Sequence, residues 1–289
     1  MEYRRKGFFY YIFAPFRWVR FLVICTGALA WLALLGFAGL TGWFFYSLPN
    51  VVDSGFEGIK TDAKLLVSKR LGKSELIHFE WVGINEINRD LIYTIVLSED
   101  SQYFEHDGIN YQSAFSALLT NLKKQEVQYG GSTITQQVAK NVFLDSSRTF
   151  GRKLKEYFIS RDLEANLSKN EIIEVYLNIA EFGPGIYGVA SASRYYFNKM
   201  PKNVNAAEGA YLALMLPSPR RNHYAIYQNK NISYKKRKKI RRVLKDMMLS
   251  EFISEQVYKE YLKYDYFAGN RNKSSRSPAS IAVPKVKTK

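Results

Sequence analysis

From Phe21 to Leu48 no charged residue interrupts the chain, and Leu, Ala, Phe, Trp and Gly fill the run. A helix of about 20 apolar residues crosses the hydrocarbon core of a bilayer, so this run is long enough to span with tilt to spare. A cleaved signal peptide has a shorter apolar stretch followed by a small-residue cleavage site. Here Ala28-Leu29-Ala30 lies inside the run, and Ser47-Leu48-Pro49 is a poor site. The pattern therefore predicts an uncleaved membrane anchor over 21–48. Beyond it the apolar positions fall into short stripes at helical spacing. Leu91, Ile92, Ile95 and Val96 share one face and predict a helix over Leu91–Ser98, after a turn that begins at Trp81. Ser168-Lys169-Asn170-Glu171 reads as a capping box, opening a helix that turns Ile172, Ile173, Tyr176 and Leu177 inward. Phe182-Gly183-Pro184-Gly185 stops that helix. Ala206–Leu216 predicts another, halted at Pro217-Ser218-Pro219. No stretch yields several alternating strands, so the fold class is mainly α.

These changes of pattern divide the chain. Residues 1–20 form a basic, aromatic tail and 21–48 the anchor. Residues 49–80 form a linker and a mixed lead-in segment with no clear period, and 81–267 a helical domain. Residues 268–289 have no apolar period and carry Ser, Asn, Lys and Arg, which predicts a disordered basic tail.

Charge sharpens this picture. The 289 residues carry 42 Lys and Arg against 26 Asp and Glu, a net charge of +16. That balance points to an anionic partner. Arg4, Arg5, Lys6, Arg17 and Arg20 precede the apolar run, so positive-inside bias keeps the N-terminus cytoplasmic. The domain then lies outside the cytoplasm, on a single-pass anchor in the plasma membrane, and meets no nucleic acid. The one cysteine, Cys25, falls within the anchor and excludes an intrachain disulfide and a Cys-based zinc site. The densest basic run, Lys235 to Lys245, reads as the solvated face of a helix, because Ile240, Val243, Leu244 and Met247 form an apolar stripe on its other side. Contact with anionic lipid headgroups is a second use for it.

Candidate chemistry gathers in three places. Gly130-Gly131 allows a sharp turn, and Ser132 is placed as the N-cap of a helix starting at Thr133. Ser132, Gln136 and Lys140 then share a face with a hydroxyl, an amide and a cation but no carboxylate, suited to an anion. Glu99-Asp100 closes the Leu91–Ser98 helix, where partial desolvation would raise a carboxyl pKa and suit it to acid–base work. Arg148, Arg152 and Glu156 follow at spacings of four, two guanidiniums beside a carboxylate. Each feature alone is also what an ordinary solvated surface presents. Together they supply what glycosyl transfer with a phosphate leaving group requires: a carboxylate to take a hydroxyl proton, and cations for the departing phosphate.

The same residues resemble the peptidoglycan glycosyltransferases, glycosyltransferase family 51. Five motifs occur in order over roughly 81–220. They are Glu99-Asp100-Ser101-Gln102-Tyr103-Phe104-Glu105-His106-Asp107-Gly108, then Gly130 to Asn141, then Arg152-Lys153-Leu154-Lys155-Glu156, then Lys169 to Asn178, and the Ala-rich Ala206–Pro217. The segments from Asn178 to Gly183 and at Tyr195-Tyr196-Phe197 look most like the monofunctional transglycosylases. Tyr103 stands where the first motif usually has Phe, which puts the local packing in question. The resemblance implies a lysozyme-like, all-helical domain that polymerises lipid II into β-1,4 glycan by inverting transfer, with undecaprenyl pyrophosphate leaving. It implies Glu99 as general base and Glu156 as the second carboxylate. It implies Lys140, Arg148, Arg152 and Lys153 around the diphosphate, with Ser132, Thr133, Gln136 and Gln137 hydrogen-bonding sugar or phosphate. Asp100 and His106 would order the Glu99 loop, and 109–129 would form a mobile flap near the bilayer. No cofactor is demanded by the sequence, though a divalent cation (Mg2+ or Mn2+) could assist at the pyrophosphate. The implied partners are lipid II, the growing strand, membrane lipids and other cell-wall synthesis proteins. Two rivals stand beside this reading: a lysozyme-like wall hydrolase and a non-catalytic membrane-anchored scaffold.

Overall fold

The computed structural model describes residues 8–72, 79–124, 131–147 and 149–267. The chain divides into two units, Met1–Pro49 and Asn50–Lys289. The first is helix α1, Phe8–Tyr46, which reaches back well into the expected tail. Its stretch Trp18–Tyr46 is the only helix among the described residues long and apolar enough to cross a membrane, with 29 residues and a mean hydropathy of 2.3. Seventeen large apolar side chains between Phe16 and Tyr46 are exposed. Leaving them in water would cost roughly 30 kcal/mol at about 2 kcal/mol each, several times the stability of a typical domain, about 5–15 kcal/mol. A bilayer removes that cost.

The second unit opens with α2, Val51–Leu71, bent at Gly55, whose φ of +54° and ψ of −174° interrupt the helix. This corrects the expected linker and unplaced segment. Ile59, Ala63 and Val67 are fully buried at spacings of four, a stripe one residue wide that carries α2 against later helices. A 3-10 turn at Ile84–Glu86 leads to α3, Arg89–Glu99, capped by Asn88, whose Oδ1 accepts from the Asp90 amide. Then come α4, Tyr111–Lys124, and α5, Ile134–Phe143. The longer α6, Phe150–Asn166, precedes α7, Lys169–Ile179, with the predicted capping box between Ser168 and Glu171. Where the sequence shows only a helix stop, Glu181–Gly183 (β1) and Ile186–Tyr187 (β2) pair as a small antiparallel hairpin. The chain continues through α8, Val189–Phe197, α9, Ala206–Met215, and the single turn α10, Pro219–Asn222. A wide π turn, His223–Gln228, precedes α11, Tyr234–Leu249, and α12, Glu255–Tyr261. The architecture is mainly α, as expected.

Two helix packs position the site. All ten residues of α9 are buried, and α3 and α11 lie against it. On the other side α5 packs on α6 and α7, with α2 laid across all three. The fourth sequence motif braces this frame. Glu174 on α7 accepts from Trp81 Nε1 and the Ile84 amide, both at 2.8 Å, and Asn178 exchanges two hydrogen bonds with the Val82 backbone. The expected disordered tail, 268–289, lies outside the described residues.

Candidate active site

Glu99 is the last residue of α3, and its side chain is only 13% exposed. Burial pushes its pKa up, while Lys239 and a hydrogen bond from Gln137 pull it back down. Lys239 Nζ stands 3.7 Å from Glu99 Oε1. It comes from the basic run of α11, whose apolar stripe is buried as expected. Sequence reasoning missed this lysine, because the contact joins residues 140 positions apart and nothing local marks one cation within so dense a run.

Asp100 turns away from Glu99 into the frame. Its two oxygens lie 3.1 and 3.0 Å from His106 Nε2, and Oδ2 accepts from the Ile134 amide at 3.0 Å. One of the free N–H groups at the start of α5 is satisfied by this carboxylate. Burial raises the Asp100 pKa, with the Ile134 bond and His106 opposing. Gly108 ends the loop at φ +84°, and a Cβ there would meet Glu164 Cγ at 2.9 Å and Ser160 O at 3.1 Å. Only glycine fits both the dihedral and the approach to α6. Tyr103 packs well: it is fully buried and its hydroxyl donates to Lys169 O at 2.7 Å.

At the second motif the helix begins one residue later than expected. The N-cap is Thr133, whose Oγ1 accepts from the Gln136 amide while Gln136 Oε1 accepts from the Thr133 amide. Thr133 Oγ1 also donates to Gly108 O at 2.6 Å. Both residues are buried. They hold the helix start to the Glu99 loop, a framing role beside the expected one of bonding sugar or phosphate. Ser132 stays exposed and accepts from Lys153 Nζ at 3.2 Å. Gln137 and Lys140 are three residues apart on α5, about 4.5 Å along the axis. Gln137 bonds Glu99, and the charge of Lys140 feels Glu156. One turn of α5 thus links the two carboxylates.

Glu156 is 2% exposed on α6. Its Oε2 pairs with Arg152 Nη1 at 2.8 Å, and Oε1 with Lys153 Nζ. Arg152 Nε is buried with no hydrogen-bond partner. A cavity of about 350 Å³ opens here, lined by Lys140, Arg152, Asp145 and, from α2, Arg70. Desolvation lowers the Lys140 pKa, Glu156 opposes, and Arg152, Lys153 and Arg70 lower it further. Arg148 lies outside the described residues, as do Gly130 and 125–129 of the expected flap. Of the predicted Arg148–Arg152–Glu156 helical face, Arg152 and Glu156 lie on α6, which begins at Phe150 behind its N-cap Thr149. The described part of the flap is α4, with Tyr111, Phe115 and Leu119 exposed. Among the described residues no three His, Cys, Asp or Glu side chains gather to hold a metal. Both oxygens of Glu156 already face cations, so this donor set does not suit a protein-held divalent ion.

A largely buried carboxylate joined through one helical turn to a cationic cavity is an arrangement suited to acid–base chemistry beside an anion. Residues 67–248 match the family model described as Transglycosylase. The chain belongs to the transglycosylase family. A biosynthetic peptidoglycan transglycosylase of Acinetobacter baumannii is 34% identical over 220 residues, 76% of this chain and 92% of that protein. One from Chromobacterium violaceum is 42% identical over 148 residues, 51% of this chain and 64% of that protein. Penicillin-binding protein 2D of Bacillus subtilis is 38% identical over 185 residues, which is 64% of this chain but 26% of that longer relative. Both the helical fold and the order of motifs agree with membership of the transglycosylases.

Proposed function

We propose that this chain is a peptidoglycan glycosyltransferase that joins lipid II into β-1,4 glycan strands at a membrane. Ionised Glu99 takes the proton of the acceptor sugar's 4-hydroxyl as its oxygen bonds to the donor's anomeric carbon. The bond from that carbon to the diphosphate breaks, and the electron pair leaves on undecaprenyl pyrophosphate with inversion. Lys140, Arg152 and Lys153 offset the charge that develops there, a role that cations fill better than a proton donor does. Ser132 and Gln137 are placed to bond sugar or phosphate, and Glu156 holds Arg152 and Lys153 in position. No divalent ion enters this scheme. The observation that carries the reading is the run from Glu99 through Gln137 and Lys140 to Arg152.

A wall hydrolase would place water opposite a neutral leaving group and has no use for this cation cluster. A scaffold has no use for a desolvated Glu99. The anchor fits a single-pass plasma (inner) membrane protein with its domain outside the cytoplasm. Membrane lipids and other cell-wall synthesis proteins are the further partners that position would provide. The test presents the purified full-length protein, in detergent, with labelled lipid II and separately with finished glycan. Polymer from the first and no cleavage of the second supports the transferase. Cleavage of finished glycan alone would assign a hydrolase instead.

A further inference from the structure

Arg70 falls outside all five sequence motifs, yet the fold carries it to the cation cluster. It occupies the last turn of α2, the helix that follows the apolar span in sequence. Its Nη2 donates to Asn141 O at 3.3 Å, fixing the guanidinium one residue beyond Lys140. With Lys140 and Arg152 it lines the cavity of about 350 Å³. The carboxylate in that cavity, Asp145, accepts from the Ser147 amide at 3.0 Å. Among the described residues no carboxylate forms an ion pair with Arg70 or Lys140. Arg152 is paired with Glu156, but Arg70 and Lys140 keep their charge in the cavity without such an ion pair of their own, and an entering anion would offset it.

We infer that Arg70 is a further substrate-binding residue, a fourth cation that α2 supplies to the diphosphate of the lipid-linked sugar. This rests on the lipid II reading above and adds a residue to that site. The chemistry fits the residue type: a guanidinium can grip two phosphate oxygens at once, whereas Lys140 acts as a point charge. A contact to the diphosphate that forms already in the ground state would govern affinity more than turnover.

The test uses the full-length protein in detergent with labelled lipid II, comparing wild type, Arg70→Gln and Arg70→Lys, with melting curves for each. Arg70→Gln should raise the KM for lipid II about tenfold, the scale of one lost charged hydrogen-bond pair. It should weaken inhibition by inorganic pyrophosphate by a similar factor and leave kcat within about twofold. Arg70→Lys should fall between, because the charge stays and the fork is lost. Because Arg70 is exposed, its melting temperature should hold. Unchanged KM and unchanged pyrophosphate inhibition in Arg70→Gln would overturn the inference, as would a lower melting temperature in both variants with KM intact. A wild type that forms no polymer at all would instead bring down the transferase reading, and this inference with it.

Discussion

As the proposed base, Glu99 should set the pH behaviour of the site. Burial holds its pKa above the ordinary glutamate value of 4.5, and Lys239 limits the rise. A base works only when ionised, so kcat/KM should climb with pH through the folded pKa of Glu99. Lys239→Met removes a favourable charge and should move that acid limb to higher pH. An unmoved limb in the pH profile would separate Lys239 from the base. Linkage gives a second consequence. A carboxyl whose pKa is raised on folding contributes stability below its unfolded pKa and loses it as pH rises through the folded value. At neutral pH ionised Glu99 therefore costs stability, and Glu99→Gln should melt higher than wild type there but not near pH 4. Equal melting temperatures at both pH values would show that the carboxylate is not desolvated as described.

At the level of elements, the start of α5 and the Glu99 loop are one assembly. Thr133 caps the helix and bonds Gly108, and Asp100 holds the Ile134 amide. Thr133→Val should cost about 1 kcal/mol, the usual worth of an N-cap, and lower the melting temperature by about 2–4 °C for a domain of this size. If Thr133 serves the frame and not the substrate, KM for lipid II should stay near wild type. A large KM increase with no change in melting would return it to the binding site. The sequence was most legible where polar residues mark helix starts: the capping box at Ser168 and the inward face of α7 appear as read. It was least legible where order depends on distant partners. The buried stripe of α2 is one residue wide and includes an alanine, so its periodicity is faint beside two glycines and several charges. Thr133 and Gln136 carry the polar groups of a binding site, but a capping box uses those same groups, and only burial separates the two roles. Lys239 and Arg70 come to the site through packing between elements far apart in sequence.

For the whole molecule, a lipid-linked substrate and an apolar helix place the reaction at a membrane surface. Arg17 and Arg20 flank the apolar stretch at its N-terminal side, and by positive-inside bias we propose that the domain faces away from the cytoplasm. Alkaline phosphatase, active only after export, should be active when fused after Phe267, while a cytoplasmic reporter fused at the same point should be silent; the reverse pattern would invert the topology. The central claim is that Glu99 drives polymerisation of lipid II, and its most direct test is gel sizing of products from labelled lipid II with full-length wild type beside Glu99→Gln. Long glycan from the wild type, with a loss of about 10²–10⁴-fold in the variant as for removal of a general base, is the predicted result. Equal polymer from both, or none from a wild type that still binds lipid II, would contradict it.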